Sequence, residues 1–348
     1  MLNDVIENAA IYSLVRTFQR SALQLNNLQE SDAELIRLPG MPGILAVTTD
    51  SLVEEIERGL YDDPYLIGWM TVMINVSDLA AVGADPIGIL VSETLPQNAA
   101  EEFVAEVQRG IHEACAAAGL CVLGGDTNFS DRWQMGGCAL GIIADGQPLT
   151  RKGCKPGDLL FASGPLGQGS SYAYSKLAAT LQRETRMHEY QPEPRIRYGQ
   201  LLRRYASACM DTSDGALATL DQLMRINGFG FILDTPLEKI LHPDARRLAE
   251  KLHFPPWLML AGFHGEFELL FTVPANSAGE FLEEASCTGW TPLYLGKVID
   301  VPEIRLQFRD RTISLDTTGI RNLYAEVEGD MKKYVQELVR MDIEMWKE

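Results

Sequence analysis

The spacing of apolar and polar residues changes several times along the chain, and each change marks an element. Residues 4–28 carry Val5, Ile6, Ala9, Ile11, Tyr12, Val15 and Phe18 at helical spacing, which predicts an amphipathic helix. GILAVTT at 43–49 predicts the first strand, ending at Asp50. Residues 65–82 are largely apolar and stop at Gly83, with Pro86 beyond, the punctuation of a helix end. Asn75 and Asp78, three positions apart, share one face of that helix.

A strand at 87–95 precedes Asn98-Ala-Ala-Glu101, a capping-box-like start for a helix that runs to Gly119. LCVLGGD (120–126) predicts a buried strand running into a glycine turn, and 136–144 a further strand. LTRKGCKPGD (149–158) gathers Gly, Pro and Asp between two strand patterns, so a domain boundary is placed there. The second half predicts strand 158–163, a glycine-rich loop, helix 169–182, a polar stretch 183–194 and helix 195–205. Strand 207–211, helix 215–227, strand 229–233, helix 243–252, strand 268–273, helix 277–287 and strand 292–299 follow. A charged amphipathic helix is expected over 321–346. Helices and strands alternate in both halves, which predicts an α/β (α+β) chain of two domains, 1–148 and 149–305, with an extension at 306–348.

Composition narrows the function. The 348 residues, 46% hydrophobic and 22% charged, are those of a globular protein. A net charge of −18 argues against nucleic-acid or anionic-membrane binding, and an acidic chain that handles phosphates needs divalent cations as mediators. Cys115, Cys121, Cys138, Cys154, Cys209 and Cys287 form no CxxC pair and are expected as reduced, buried thiols. The N-terminus has no basic segment leading into an apolar run, and nothing approaches the ~20 apolar residues of a membrane span. A soluble, cytoplasmic protein is the expectation.

Asp32, Asp50, Asp78, Asp126, Asp211 and Asp214 each fall at an expected strand end, turn or helix start beside Gly, Ser or Thr. Carboxylates gathered from distant segments are one way to hold Mg²⁺ against a triphosphate without a P-loop. VTTDSL (47–52) adds Thr48 and Thr49, oxygen donors suited to Mg²⁺, although the tripeptide also makes an ordinary strand exit. In GGDT, Gly124 and Gly125 let backbone approach a ligand next to Asp126 and Thr127. SGPLGQGSS (163–171) opens a helix and reads either as a phosphate-binding turn or as a plain turn with an N-cap. In MDTSDG (210–215) one of Asp211 and Asp214 could simply cap a helix. Arg151 and Lys152 could balance phosphate charge or could be solvated linker residues. His112, His188, His242, His253 and His264 show no metal-ligand spacing, and no GxSxG is present.

Read in order, SDAEL, AVTTDSLVE, NVSDLAAVGADP, GGDT, LTRKGCKPGDLLFASGPLG, MDTSDG and ELLFTVP resemble the aminoimidazole-ribonucleotide-synthetase-like (PurM-like) superfamily, and within it the thiamine-monophosphate kinases. The resemblance covers roughly residues 30–300 and rests on the order and spacing of many short motifs. It implies two α/β domains, a homodimer built on the N-terminal domains, and ATP with several Mg²⁺ in a cleft. It assigns Asp32, Thr48, Thr49, Asp50, Asp78, Asp126, Asp211 and Asp214 to metal, and Gly124, Gly125, Thr127, Arg151 and Ser213 to nucleotide. Asp50, Asp126 and Arg151 are the expected catalytic set.

Three departures concern the acceptor end. Glu57 stands where the family has a histidine, Gly265 where it has a substrate-contacting glutamate (with Glu266 beside it), and SLDTTGIRN (314–322) lacks the expected aromatic residue. The first motif is reduced to Gln29-Glu30-Ser31-Asp32. The expectation is therefore a Mg²⁺- and ATP-dependent phosphotransferase acting on a small acceptor other than thiamine monophosphate. An authentic thiamine-monophosphate kinase, an ATP-dependent cyclo-ligase or dehydratase, and a non-catalytic nucleotide-binding dimer stand as alternatives.

Overall fold

A computed structural model describes residues 2–180, 190–308 and 311–345. His188, the end of the helix expected at 169–182 and most of the polar stretch expected at 183–194 lie outside the described residues, as does residue 346 of the expected C-terminal helix. The first half contains α1 (Ile6–Val15), β1 (Glu34–Ile36), β2 (Ile44–Ser51), α2 (Val53–Glu57), α3 (Pro64–Ala81), β3 (Asp85–Pro96), α4 (Glu101–Ala118), β4 (Val122–Ser130) and β5 (Gln134–Ile143). The second begins with β6 (Leu159–Ala162), α5 (Gln168–Thr180), α6 (Ile196–Leu202), β7 (Ala208–Asp211), α7 (Ala216–Asn227), β8 (Gly230–Leu233), α8 (Leu237–Ile240) and α9 (Pro243–Leu252). It ends with β9 (Leu269–Val273), α10 (Ala278–Cys287), β10 (Leu293–Ile299), β11 (Ile304–Phe308), β12 (Arg311–Leu315), α11 (Thr317–Glu326) and α12 (Met331–Met345).

These strands make two mixed sheets, a five-stranded one in the order β1-β2-β5-β3-β4 and a seven-stranded one in the order β12-β11-β8-β10-β6-β9-β7. The helix between them is α3. Its apolar run buries nearly every position, and it touches β2 and β5 on one side and α6 and β7 on the other. Asp63 caps its first turn and Pro64 occupies its first helical position, where a missing N–H costs nothing. It crosses α4 at two glycines: a Cβ on Gly68 would lie 2.0 Å from Val107 O, and one on Gly110 2.1 Å from Tyr65 O. That close crossing fixes α3 against the first sheet and sets the height of its polar residues.

Several expectations require correction. The helix expected over 4–28 ends at Val15. Its apolar positions Ile6, Ile11 and Tyr12 are exposed, whereas Asn8 is buried through a hydrogen bond to Gln222. The strand containing GGD was expected to be buried, but β4 is an edge strand exposed along almost its whole length, and the two glycines lie inside it rather than in a turn. The capping box at Asn98 does not form, because Ala100 precedes the first helical turn without a side-chain cap. The C-terminal helix is two helices, α11 and α12, split where Glu328 and Gly329 adopt positive φ. The boundary drawn at 305/306 falls inside β11, which pairs with β8 and so belongs to the second sheet. Of the cysteines, Cys115, Cys154 and Cys209 are buried, Cys138 is half-buried, and Cys121 and Cys287 are exposed. Among the described residues, no helix is long and apolar enough to cross a membrane.

Candidate active site

Four separate segments meet at one end of α3. β7 ends at Asp211, α3 presents Ser77 and Asp78, β2 carries Thr48 to Asp50, and the loop before β1 supplies Asp32. One carboxylate oxygen from each of Asp32, Asp78 and Asp211 lies within 4.8 Å of the others. Thr48 Oγ1 donates to Asp78 Oδ2. Ser77 Oγ and Ser213 Oγ donate to the two oxygens of Asp211 at 2.5 and 2.8 Å. Asn75 Oδ1 accepts from the Asp50 amide at 3.1 Å, which ties β2 to α3.

Neither aspartate of MDTSDG caps α7. The residue before that helix is Gly215, at φ 88°, and no side chain caps the first turn. The structural role that could have explained the motif is therefore absent, and Asp211 faces the other carboxylates instead.

Three carboxylates this close repel one another and shed water. Burial, followed by the neighbouring charge of Asp32, pushes the Asp211 carboxyl up to about 7. Burial, then Asp211 and Asp32, holds Asp78 well above the usual carboxylate range. The shielded surroundings of the cleft push Asp50 up to about 6, with Asp214 adding to the rise. Asp214 is raised by burial and by Glu7. One cation answers part of this charge: Arg151 donates to Asp32 Oδ1 at 3.0 Å from a loop whose own amide bonds Glu30 O at 2.8 Å. The second oxygen of Asp32 is buried without a partner. An all-oxygen donor set with an orphaned carboxylate oxygen fits a hard divalent cation such as Mg²⁺.

The cluster forms one end of a cleft of ≈ 1540 Å³, lined also by Thr49, Ser213 and Asp214. Several expected site residues are elsewhere. Gly124, Gly125, Asp126 and Thr127 lie on the exposed edge strand β4, where Asn128 donates to Asp126 and Thr127 to Glu93. Cross-strand register aligns Ser51, Gly136, Ser92 and Asp126 in one row, so Asp126 sits three strands from β2, about 14 Å at the usual strand spacing. Glu57 points away from the cleft and pairs with Arg132 at 3.3 Å. Gly265 can carry no side chain there, since a Cβ would meet Thr212 O at 1.4 Å. Glu266 is buried and accepts from Gly167 N at 2.7 Å. That bond occupies the start of α5, so the glycine-rich loop at 163–171 is an internally capped turn.

Ser77, Glu55, Tyr61 and Lys176 also belong to the cleft or its cluster and were not anticipated. Ser77 adjoins Asp78 within NVSDL, and that adjacency is the only signal the sequence offered for it.

The family described as AIR synthase related protein, N-terminal domain, matches residues 30–143. The thiamine-monophosphate kinase of Salmonella typhimurium is 30% identical over 279 residues, 77% of this chain and 84% of that protein. The chain belongs to the thiamine-monophosphate kinase family. The thiamine-monophosphate kinase of Nitrosopumilus maritimus is 28% identical over 318 residues, 88% of this chain and 96% of the relative. A solved ThiL complexed with AMPPCP and TMP shares the fold with a TM-score of 0.69 at 22% identity, covering 90% of this chain and 98% of that one. The PurM-like resemblance carried by the short motifs is thus confirmed over most of the length.

Proposed function

We propose that this protein is a thiamine-monophosphate kinase that transfers the γ-phosphoryl group of ATP directly to the phosphate of thiamine monophosphate. The observation that carries the reading is the convergence of Asp32, Asp78 and Asp211 beside Arg151 at the end of a cleft, in a chain of this family. It is an ATP-dependent kinase of the PurM-like type. Mg²⁺ bound by these carboxylates would neutralise charge on the phosphates.

The chain's own residues do the positioning. Asp32, Asp78 and Asp211 hold the cations, with Asp50, Asp214, Thr48 and Thr49 as flanking oxygen donors. Arg151 is aimed by Asp32 and lies where it can contact phosphate oxygens. The bond from the γ-phosphorus to the β–γ bridging oxygen breaks, an acceptor phosphate oxygen forms the new P–O bond, and ADP leaves.

An acceptor other than thiamine monophosphate was expected from the altered motifs. One of those changes loses its force, because Glu57 is turned away from the cleft and paired with Arg132. Gly265 remains a missing side chain, and the relatives, all thiamine-monophosphate kinases, are what favour thiamine monophosphate.

A homodimer is part of the reading. The edge strand β4 exposes Val122, Leu123 and Phe129, with Leu90 beside them on β3, an unpaired apolar edge of the kind that pairs with a second copy. At the other edge β1 pairs only with Leu45 to Val47, leaving Thr48 to Ser51 uncovered on that side. Joining β4 of one copy to this stretch of the other would carry Asp126 and the GGDT glycines to the partner's carboxylates.

The test is purified protein with ATP, Mg²⁺ and thiamine monophosphate, following ADP and thiamine diphosphate, with Asp50→Asn as the blank. Equal amounts of both products support the reading. ADP with free phosphate, or no turnover, overturns it.

A further inference from the structure

The cleft contains a carboxylate that the metal cluster does not use. Glu55 lies on α2, and its carbonyl accepts from Leu60 N at 2.8 Å and Tyr61 N at 3.3 Å, so its backbone is held in a tight turn. The side chain lines the cleft. Its Oε2 is shielded from water and has no hydrogen-bond partner. Burial raises its carboxyl, with the charge of Asp50 adding to the rise and that of Arg58 offsetting part of it. Arg58, on the same turn, is engaged elsewhere: it pairs with Glu54 at 3.1 Å and sits 4.9 Å over the Tyr324 ring.

The surroundings of Glu55 are aromatic. Tyr61 and Tyr190 both feel its charge, Tyr61 bonds His264 Nε2 at 3.0 Å, and Tyr61 and His264 line the cleft beside Phe267. Burial holds His264 neutral, down to about 3, so the imidazole adds no positive charge to this wall. A carboxylate whose charge is only partly offset, by Arg58, and which lies close enough to act on two tyrosines, has the chemistry to recognise a cationic heteroaromatic ring. Glu55 is within electrostatic reach both of Asp50 in the carboxylate group and of Tyr61 in the aromatic wall.

We propose that Glu55 is a specificity-determining residue of the acceptor end, where its carboxylate, backed by the Tyr61–His264 wall, recognises the fixed positive charge of a thiazolium ring. The inference rests on thiamine monophosphate being the acceptor. It assigns to α2 the discrimination that Gly265, lacking room for a side chain, cannot supply.

The test is Glu55→Gln, which keeps shape and removes charge. The KM for thiamine monophosphate is expected to rise about tenfold or more, while kcat and the KM for ATP move by less than about twofold. The phosphate ester of 4-methyl-5-(2-hydroxyethyl)thiazole, whose ring is uncharged, should inhibit wild type and variant equally, and Glu55→Asp should recover part of the lost affinity. An unchanged KM for thiamine monophosphate, or equal weakening of the neutral ester, overturns the proposal while leaving the kinase reading intact. If wild type shows no turnover, the kinase reading fails by itself and the charge preference is read by thermal shift. Greater stabilisation of wild type by thiamine monophosphate than by the neutral ester, a difference lost in Glu55→Gln, supports it. Absence of that difference overturns it.

Discussion

Asp78→Asn separates a built cation site from a chance gathering of acids. Asn keeps an oxygen to accept from Thr48 but removes one charge from the three-carboxylate cluster. At the 4.8 Å limit of that cluster, two full charges repel by about 3–4 kcal/mol at an effective dielectric of ~20. Arg151 and partial protonation relieve some of this, so a net gain of about 1–2 kcal/mol is expected for the metal-free variant at pH 8. In a thermal melt with EDTA that corresponds to a rise of about 1–3 °C.

The sign reverses with conditions. Because Asp211 titrates at about 7 and Asp78 is also raised, the folded wild type binds protons that the unfolded chain releases. Their contribution to stability is fully present below the ordinary carboxylate range and is lost as pH rises through about 7. At pH 5 the wild type is already relieved by its own protons, and the advantage of the variant should vanish. With Mg²⁺ at pH 8 the order inverts, since only the full carboxylate set gains from the cation, and turnover of the variant should fall by at least about 100-fold. A variant less stable than wild type in EDTA at pH 8, equally favoured at pH 5, or stabilised by Mg²⁺ as much as wild type would refute the reasoning.

Gly265→Ala should unfold or severely destabilise the second half, by at least about 3 kcal/mol, because its Cβ would collide with backbone rather than with a movable side chain; a melting point within 2 °C of wild type, roughly the scatter of such measurements, would contradict it. Mixing and refolding inactive Asp78→Asn with inactive Asp126→Asn should restore part of the turnover if Asp126 reaches the partner's cluster. Mixtures as inactive as either parent would place Asp126 in the cleft of its own chain or outside catalysis.

Much of the fold was legible because apolar runs ended on unambiguous punctuation. α3 lies between Pro64 and Gly83, and α4 ends at Gly119 in the left-handed conformation. What misled was apolar sequence that the described residues leave exposed. Val122 and Leu123 read as part of a buried strand, yet they lie on an edge; residues 4–28 read as one amphipathic helix, yet the helix stops at Val15 and is anchored by Asn8 and Gln222. Apolar spacing reports that a face will be covered. It does not report by what.

The site divides along the same line. Motif order brought Asp32, Asp78, Asp211 and Arg151 to one place although they are far apart in sequence, and Asp32 persists in a first motif whose Gln29 takes a positive φ better suited to glycine. Motif order could not say which way a short helix faces. Glu55 and Glu57 are two positions apart on α2, about 200° around the axis, so one enters the cleft while the other meets Arg132. Aligning Glu57 with a family histidine pointed to α2, and the structure turns that side chain to Arg132. The proposal for the acceptor end therefore rests two residues earlier, where only the three-dimensional structure reveals a buried carboxylate oxygen without a partner.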